Sequence, residues 1–360
     1  MKICVIGSGI AGLTTAFHLS QDAGVSVTVY ERAGQFGGRA DVPEDWEHGP
    51  RFFMDDYSGA DRSVLDSPRR VRRSAHTPSV GWVETSHLYP VLAKEVSWRR
   101  KIRILRAWRA SALAAGQSQN AKWVARLRAR GVDLRTDTAV TAIEPQPWAV
   151  TVRTVEGAAE FDGVVVTAFV PGLMALLEAS RIGHSVIENG HTHCVAYTLD
   201  LDPREAVLTA PGPGLYCREG ISMLVQPGRC RCVVLCVTSK STEARIVLPK
   251  VREFLGLEHD FVRVGMRLNR QNCDGVFVGE YLCPDRILRR PTRRVYFAGS
   301  AIHNSYLADS AEGAVRSALA ATAQLRRDLG LPAARAAGPT DKNTTKNTTE
   351  KEGVCTMESH

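Results

Sequence analysis

No stretch of the 360-residue chain approaches the roughly 18 to 20 uninterrupted apolar residues that a membrane span requires, since Arg, Gly or Pro breaks each long apolar run. Integral insertion in a membrane is thereby excluded. No secretory leader is expected either, since the first apolar run, residues 3–6, leads directly into a glycine motif of structural type. The expected location is the cytoplasm, with peripheral membrane contact open to the basic segment described below. Paired cysteines are also missing. The nine cysteines are odd in number and irregularly spaced, which does not make a disulfide framework. The one cluster, Cys230, Cys232 and Cys236 in "CRCVVLCV", falls at i, i+2 and i+6 and so shares one face of a strand, where Cys serves as a small apolar residue. No second ligand pair follows it, so no metal site is expected.

What is present is the composition of a soluble globular enzyme, 44% hydrophobic and 23% charged, of a size for one large domain or two moderate ones. The net charge of +8 is uneven: residues 51–135 hold 18 Lys or Arg against 7 Asp or Glu. Such an insert fits a solvated helical face, and equally attracts a phosphorylated substrate, an anionic membrane or nucleic acid.

The opening reads strand, turn, helix, strand. "KICVI" is a β-branched run and "GSGIAG" interrupts it. "LTTAFHLSQDAG" then has helical spacing, and "VSVTVYE" alternates with period two. This is the first half of a doubly wound parallel sheet. Residues 61–130 read as mainly helical and basic, with Trp98, Ile102, Leu105 and Trp108 on one stripe of an amphipathic helix. That helix could lie on a membrane or pack on the protein's own core. A helix closed by Gly131 and a strand follow, then "AEFDGVVVTAF", which ends in another apolar strand, and a helix opened by Pro171. Residues 185–278 carry the strand-like runs "HCVAYTLDL", "ISMLVQ" and "RCVVLCVT", an antiparallel sheet inserted before the main fold resumes at "RRVYFAGS" and a final helix. Residues 333–360 are too polar to bury themselves and should be disordered, and the sequons at Asn343 and Asn347 have no secretory route to serve.

The strongest chemical signal is Gly7, Gly9 and Gly12 between strand and helix. Gly7 permits the turn, Gly9 lets a pyrophosphate approach the backbone, and Gly12 lets helix and strand pack. The helix start at Ile10 and Ala11 offers its amides and dipole to phosphate. Glu31 ends the second strand nineteen residues after Gly12, where an acid takes both ribose hydroxyls of an adenosine without a ribose phosphate.

Beyond Glu31, "ERAGQFGGRA" holds Arg32, Gly37, Gly38 and Arg39. Here the chain resembles the flavin-containing amine oxidase and phytoene desaturase superfamily, whose members carry an acid, often a basic neighbour, and then Gly-Gly-Arg. The resemblance implies FAD, with the glycine turn's amides near the pyrophosphate and ribityl chain and the Arg adding positive charge. A second match, "RRVYFAGS...DSAEGAVRSALAATA", resembles the superfamily's C-terminal flavin motif: Gly299 and Ser300, then Ala311, Glu312, Gly313 and Ala314, whose helix start would stabilise negative charge on a reduced flavin. Ser300 stands where the family usually has Asp. "GVDLRTDTAVTAIEP" resembles the strand that brackets adenine, which places Val140 there. "WEHGPRFFMDDY" resembles the segment after Gly-Gly-Arg in polyprenoid desaturases and adds Gly49, Pro50 and Arg51, with a structural turn and ion pair as the alternative for His48 and Arg51.

The implied fold is α/β, a Rossmann-like two-lobed FAD-binding domain (1–60, 110–180 and 285–330) with a smaller α+β substrate domain of antiparallel sheet plus helices (61–109 and 181–284). The implied activity is an FAD-dependent oxidoreductase that removes hydride from a small-molecule substrate, leaning to a desaturase of an isoprenoid-type metabolite. An amine oxidase, or a flavin-dependent isomerase or cyclase without net redox change, is the alternative. A nicotinamide dehydrogenase and a non-catalytic binder of anionic lipid or nucleic acid are rivals, and no specific nucleic-acid partner is expected. His48, Tyr57, His303 and Tyr306 are acid/base candidates, chosen for nearness to the flavin motifs and for side chains able to move protons.

Overall fold

A computed structural model describes residues 1–38, 52–54, 69–70, 73–77, 81–84, 111–113, 119–168, 170–182, 191–202, 214–218, 221–225, 231–238, 244–268, 275–277, 294–299 and 311–332. The expected disordered tail and the apolar stripe from Trp98 to Trp108 lie outside them.

Five parallel strands form the central sheet: β1 (Lys2–Ile6), β2 (Ser26–Tyr30), β8 (Asp133–Arg135), β12 (Gly163–Val166) and β19 (Val295–Phe297), in the order β19-β12-β1-β2-β8. Both faces are covered, which is why the inner strands β1 and β12 and the edge strand β19 read as near-continuous apolar runs. One face takes Ile3, Val5, Val27, Val29 and Val165 against α1 (Ile10–Leu19), α2 (Gln119–Ala129) and α5 (Ala311–Leu329), through Leu13, Phe17, Trp123, Leu127, Ala318 and Leu325. Phe17 meets Trp123 edge to face at 5.0 Å, so α2 is seated on α1 by an aromatic pair. The other face takes Cys4, Ile6, Val164 and Val166 against the antiparallel meander β9 (Val140–Pro145), β10 (Val150–Thr154) and β11 (Gly157–Phe161) and against α3 (Val170–Ala179). The two-layered covering of a parallel sheet puts the C-terminal ends of β1, β2, β12 and β19 along one edge, where such folds bind ligands.

The second sheet runs β17-β13-β16-β15-β14-β5-β6, from β5 (Arg73–Thr77), β6 (Gly81–Glu84), β13 (His191–Asp200), β14 (Gly214–Arg218), β15 (Ile221–Val225), β16 (Arg231–Thr238) and β17 (Arg263–Leu268), with β18 (Gly275–Phe277) also on β13. It is mixed rather than wholly antiparallel, because β14 and β5 pair in parallel. Helix α4 (Ala244–Leu255) covers one face, burying Val247, Val251, Phe254 and Leu255 on Tyr197, Leu199, Cys232 and Val234. Each such fully buried large side chain contributes roughly 1.5–3 kcal/mol. That outweighs the hydrogen bond lost at Pro249 inside α4, the residue that hides this helix in the sequence.

One expectation is corrected. In the basic segment 61–130 the expected helix holds for α2, but the earlier described pieces, β4 (Arg69–Arg70), β5, β6 and β7 (Ser111–Leu113), are strands. Arginine spacing resembles a helix surface, but the partners that decide, such as Leu215 to Cys217 for β5, lie over a hundred residues away. β7 pairs with both β3 (Phe52–Met54) and β4 in one small sheet. The apolar strand expected at the end of "AEFDGVVVTAF" is β12, and β11 precedes it in another sheet, the two parted at Asp162, whose carboxylate accepts the Lys2 N–H at 2.7 Å.

Cys232 lies opposite Leu199 in β16 and is fully buried, and Cys236 stands opposite Val195, while Cys230 is outside the described residues. Burial pushes the Cys232 thiol up to about 12 from an ordinary 9.0, and Cys4 is raised by the same desolvation. Above pH 9 the unfolded thiol ionises while the folded one stays neutral, so the unfolded state binds fewer protons and stability falls as pH rises towards 12. Each such thiol should lower stability by about 1.4 kcal/mol per pH unit in that window. Urea midpoints taken from pH 8 to 11 should fall more steeply for the native chain than for Cys232→Ala. Equal slopes would contradict this assignment.

Candidate functional site

The glycine loop follows β1. Gly7 has φ +98°, and its amide donates to the Tyr30 carbonyl at 2.8 Å, tying the loop to the end of β2. Gly9 is the N-cap of α1 and has no side chain to cap it, so the amides of Ile10, Ala11 and Gly12 open the helix unblocked, with no acid in the first turn. A Cβ on Gly9 would meet nothing within 4 Å, whereas one on Gly12 would lie 1.9 Å from the Gly7 carbonyl oxygen. Gly12 thus has a packing duty, and Gly9 leaves an open cradle over a positive helix end, which fits a pyrophosphate.

Glu31 is 6% exposed and held by three donors. Its Oε2 accepts the Ser8 N–H at 2.8 Å and the Ser8 hydroxyl at 2.6 Å, and its Oε1 accepts the Ala33 N–H at 2.9 Å. A carboxylate offers about four acceptor positions, so this one is fixed in place with capacity left for a ligand hydroxyl. Arg32 beside it is exposed. The backbone of Glu31 is clasped by the strand end that precedes β9: its amide donates to Arg135 at 2.8 Å and its carbonyl accepts from Thr138 at 2.8 Å. Val140 starts β9 two residues further on. Asp137 in this clasp has φ +53°, and its amide donates to the Ala33 carbonyl at 3.1 Å.

The Gly37–Gly38 turn folds onto the same loop. Gly37 (φ +119°) donates its amide to the Ser8 carbonyl at 3.0 Å and hydroxyl at 3.1 Å, and a Cβ on Gly38 (φ +56°) would lie 3.2 Å from the Gly9 Cα. Two glycine segments thirty residues apart therefore form one backbone cradle, closed by the Ser8 side chain.

The C-terminal motif adjoins this cradle. Gly299 (φ +137°) follows β19 and donates its amide to the Ser317 hydroxyl at 2.8 Å, while that hydroxyl lies 2.8 Å from the Ala314 carbonyl within α5. Ser317 thus locks the end of β19 to the first turns of α5. Ala311, Glu312 and Gly313 stand in the first turn, and Ala314 is buried. At the junction, Thr167 after β12 places its hydroxyl 3.0 Å from the Gly7 carbonyl, and its own carbonyl 4.0 Å from where a Gly299 Cβ would stand.

Of the residues singled out in the sequence, Gly7, Gly9, Ile10, Ala11, Gly12, Glu31, Gly37 and Gly38 come together; Gly299 lies beside Thr167, whose hydroxyl reaches the Gly7 carbonyl, and Ser317 ties Gly299 to Ala314. Arg39, His48, Gly49, Pro50, Arg51, Tyr57, Ser300, His303 and Tyr306 lie outside the described residues. Ser8, Thr167, Ser317 and Asp137 were not singled out. Ser8, as the variable residue of a glycine motif, was the one with a signal available: a hydroxyl beside a ribose-binding acid. Among the described residues no group of His, Cys, Asp and Glu is arranged to hold a metal ion, and no helix is long and apolar enough to cross a membrane.

Residues 5–67 match the family model of the NAD(P)-binding Rossmann-like domain. Comparison with curated protein sequences gives no match. Solved structures are similar over most of the chain. An oxidoreductase from Methanosarcina mazei aligns over 89% of this chain and 99% of its own, at 13% identity and a TM-score of 0.61. Putrescine oxidase with bound putrescine aligns over 91% and 99%, at 14% identity and 0.67. Cyclohexylamine oxidase from Brevibacterium oxydans IH-35A aligns over 91% and 99%, at 13% and 0.64. The chain shares the fold of these oxidases. Its Rossmann-like unit and mixed sheet therefore belong to one two-part architecture, with the glycine cradle at the Rossmann switch point.

Proposed function

We propose that this chain is an FAD-dependent oxidoreductase acting on a small organic molecule. The observation that carries the reading is the convergence of the Gly7–Gly12 loop, the Gly37–Gly38 turn and the anchored Glu31 into one backbone cradle, with Gly299 beside Thr167 at its edge and tied to α5 by Ser317. In it Glu31 would hold the adenosine ribose, the amides of Ile10, Ala11 and Gly12 would hold the pyrophosphate, and the first turn of α5 would serve the flavin. FAD supplies, when bound, two-electron oxidation of a carbon next to a double bond or an amine. The chain's part is to orient the cofactor and substrate and to favour negative charge beside the α5 N-terminus.

Two substrate classes follow from different observations. The segment His48 to Arg51 resembles polyprenoid desaturases and supports dehydrogenation of an isoprenoid-type metabolite. The shared fold with putrescine and cyclohexylamine oxidases supports amine oxidation. Anaerobic mixing of the purified holoprotein with a panel of terpenoids and amines separates them: bleaching of the flavin absorbance by one class alone identifies it. A product of unchanged mass with no net bleaching would instead assign isomerisation or cyclisation. A colourless protein that binds only nicotinamide dinucleotides would overturn the flavin reading.

A further inference from the structure

We propose that Thr167 is a positioning residue of the dinucleotide site, acting on Glu31 through the peptide unit between Gly7 and Ser8. The inference rests on the dinucleotide reading above, in which Glu31 holds the adenosine ribose. Thr167 is the residue after β12. Its amide donates to the Ile6 carbonyl at 2.8 Å and so extends the β1 to β12 pairing by one residue. Its hydroxyl lies 2.9 Å from the Ile6 carbonyl oxygen and 3.0 Å from that of Gly7. The one hydroxyl proton is shared between these two acceptors at the point where the strand turns into the glycine loop.

The carbonyl of Gly7 and the N–H of Ser8 belong to one planar peptide, and in a trans peptide they point in opposite directions. No cis peptide bond occurs in the described chain. Holding the Gly7 oxygen towards Thr167 therefore aims the Ser8 N–H the other way, onto Glu31 Oε2 at 2.8 Å. The Ser8 hydroxyl reinforces the same oxygen at 2.6 Å. A lever one peptide long thus runs from the end of β12 to the acid that ends β2, across β1 between them.

The space around the hydroxyl supports a specific role for it. A Cβ on Gly7 would come within 2.8 Å of Thr167 Oγ1 and one on Gly12 within 2.9 Å, so this oxygen fills the notch that the two glycines leave. Valine has nearly the same shape and lacks the donor. With Thr167→Val the Gly7 carbonyl loses its side-chain partner and the peptide is free to tilt, which releases the Ser8 N–H from Glu31. Serine keeps the donor.

A hydroxyl with only a packing duty would lower stability without depending on Glu31. The test is therefore a double-mutant cycle of Thr167→Val and Glu31→Gln, read as ADP affinity by calorimetry, with Thr167→Ser and thermal melting alongside. Thr167→Val should weaken ADP binding about tenfold, the scale of one hydrogen bond to a charged group. Thr167→Ser should bind as the native chain does, and the double variant should be no weaker than Glu31→Gln alone. Should Thr167→Val fail to fold, Thr167→Ala removes the same hydroxyl and carries the same expectation. Native affinity in a variant without the hydroxyl, or losses that simply multiply, would overturn the lever while leaving ADP binding by the native chain intact. Absence of ADP binding by the native chain would overturn the dinucleotide reading, and the lever with it.

Discussion

Gly12→Ala should cost roughly 1–3 kcal/mol of stability by overpacking and release the cofactor, because the new methyl would lie 1.9 Å from the Gly7 carbonyl oxygen and 2.9 Å from the Gly7 carbonyl carbon. Both of these are backbone, which cannot turn aside as a side chain can. To admit the methyl, the helix must rise off β1 or the loop must flatten, and either shift moves the first-turn amides of α1. Gly9→Ala should behave differently. Its Cβ meets nothing, and its backbone at φ −64° suits alanine, so the melting temperature should hold while dinucleotide affinity falls at least about tenfold as the methyl fills the cradle. Melting curves and binding isotherms of the two variants separate the packing glycine from the ligand glycine. A Gly12→Ala protein as stable as the native one, or a Gly9→Ala protein with native affinity, would contradict these roles.

Arg326→Met should destabilise the fold by about 3–5 kcal/mol, the cost of leaving one member of a buried ion pair alone. The Arg326 guanidinium in α5 donates to both carboxylate oxygens of Asp22, from Nε at 2.8 Å and from Nη2 at 3.1 Å, and Nη2 also donates to the His18 carbonyl at 2.7 Å. The side chains are 9% and 6% exposed, so water does not screen the pair as it would on the surface. The planar fork matches the carboxylate at two points. This contact fastens the C-terminal helix to the turn after α1, across 304 residues of sequence. It fixes how α5, whose first turn is proposed to serve the flavin, lies against the helix that follows the glycine loop. Urea titration of Arg326→Met, Asp22→Asn and their combination checks it: the double variant should recover much of the loss, because no unpaired charge remains. Additive losses, or a single variant within about 1 kcal/mol of the native chain, would contradict the buried-pair account.

The parts of this site legible in the sequence are those set by local geometry. β1, the glycine loop, α1 and Glu31 lie within thirty-one residues, and each is marked by a period or a turn that neighbours impose on one another. The start of α5 is legible for the same reason. Thr167 and Ser317 were hidden because nothing near them in the chain calls for a hydroxyl. Their partners, Gly7 and Gly299, are brought to them by strand order β19-β12-β1. The Asp22–Arg326 pair is hidden in the same way, since each residue alone reads as a charge on a solvated helix end. In the second sheet, the α4 helix was masked by Pro249 and the strands β5 and β6 by their arginines and distant partners. Burial on the sheet decided α4, and long-range pairing decided β5 and β6.

The central claim is that the glycine cradle, Glu31 and the α5 terminus grip one adenine-linked flavin. Its most direct test is the mass and stoichiometry of the small molecule released when the purified, folded protein is denatured, with apoprotein reconstituted by added FAD where none is carried through purification. The account predicts FAD at about one per chain, taken up by the native protein and at least about tenfold more weakly by Gly9→Ala. Release of a nicotinamide dinucleotide, or no uptake of FAD by the folded native chain, would contradict it.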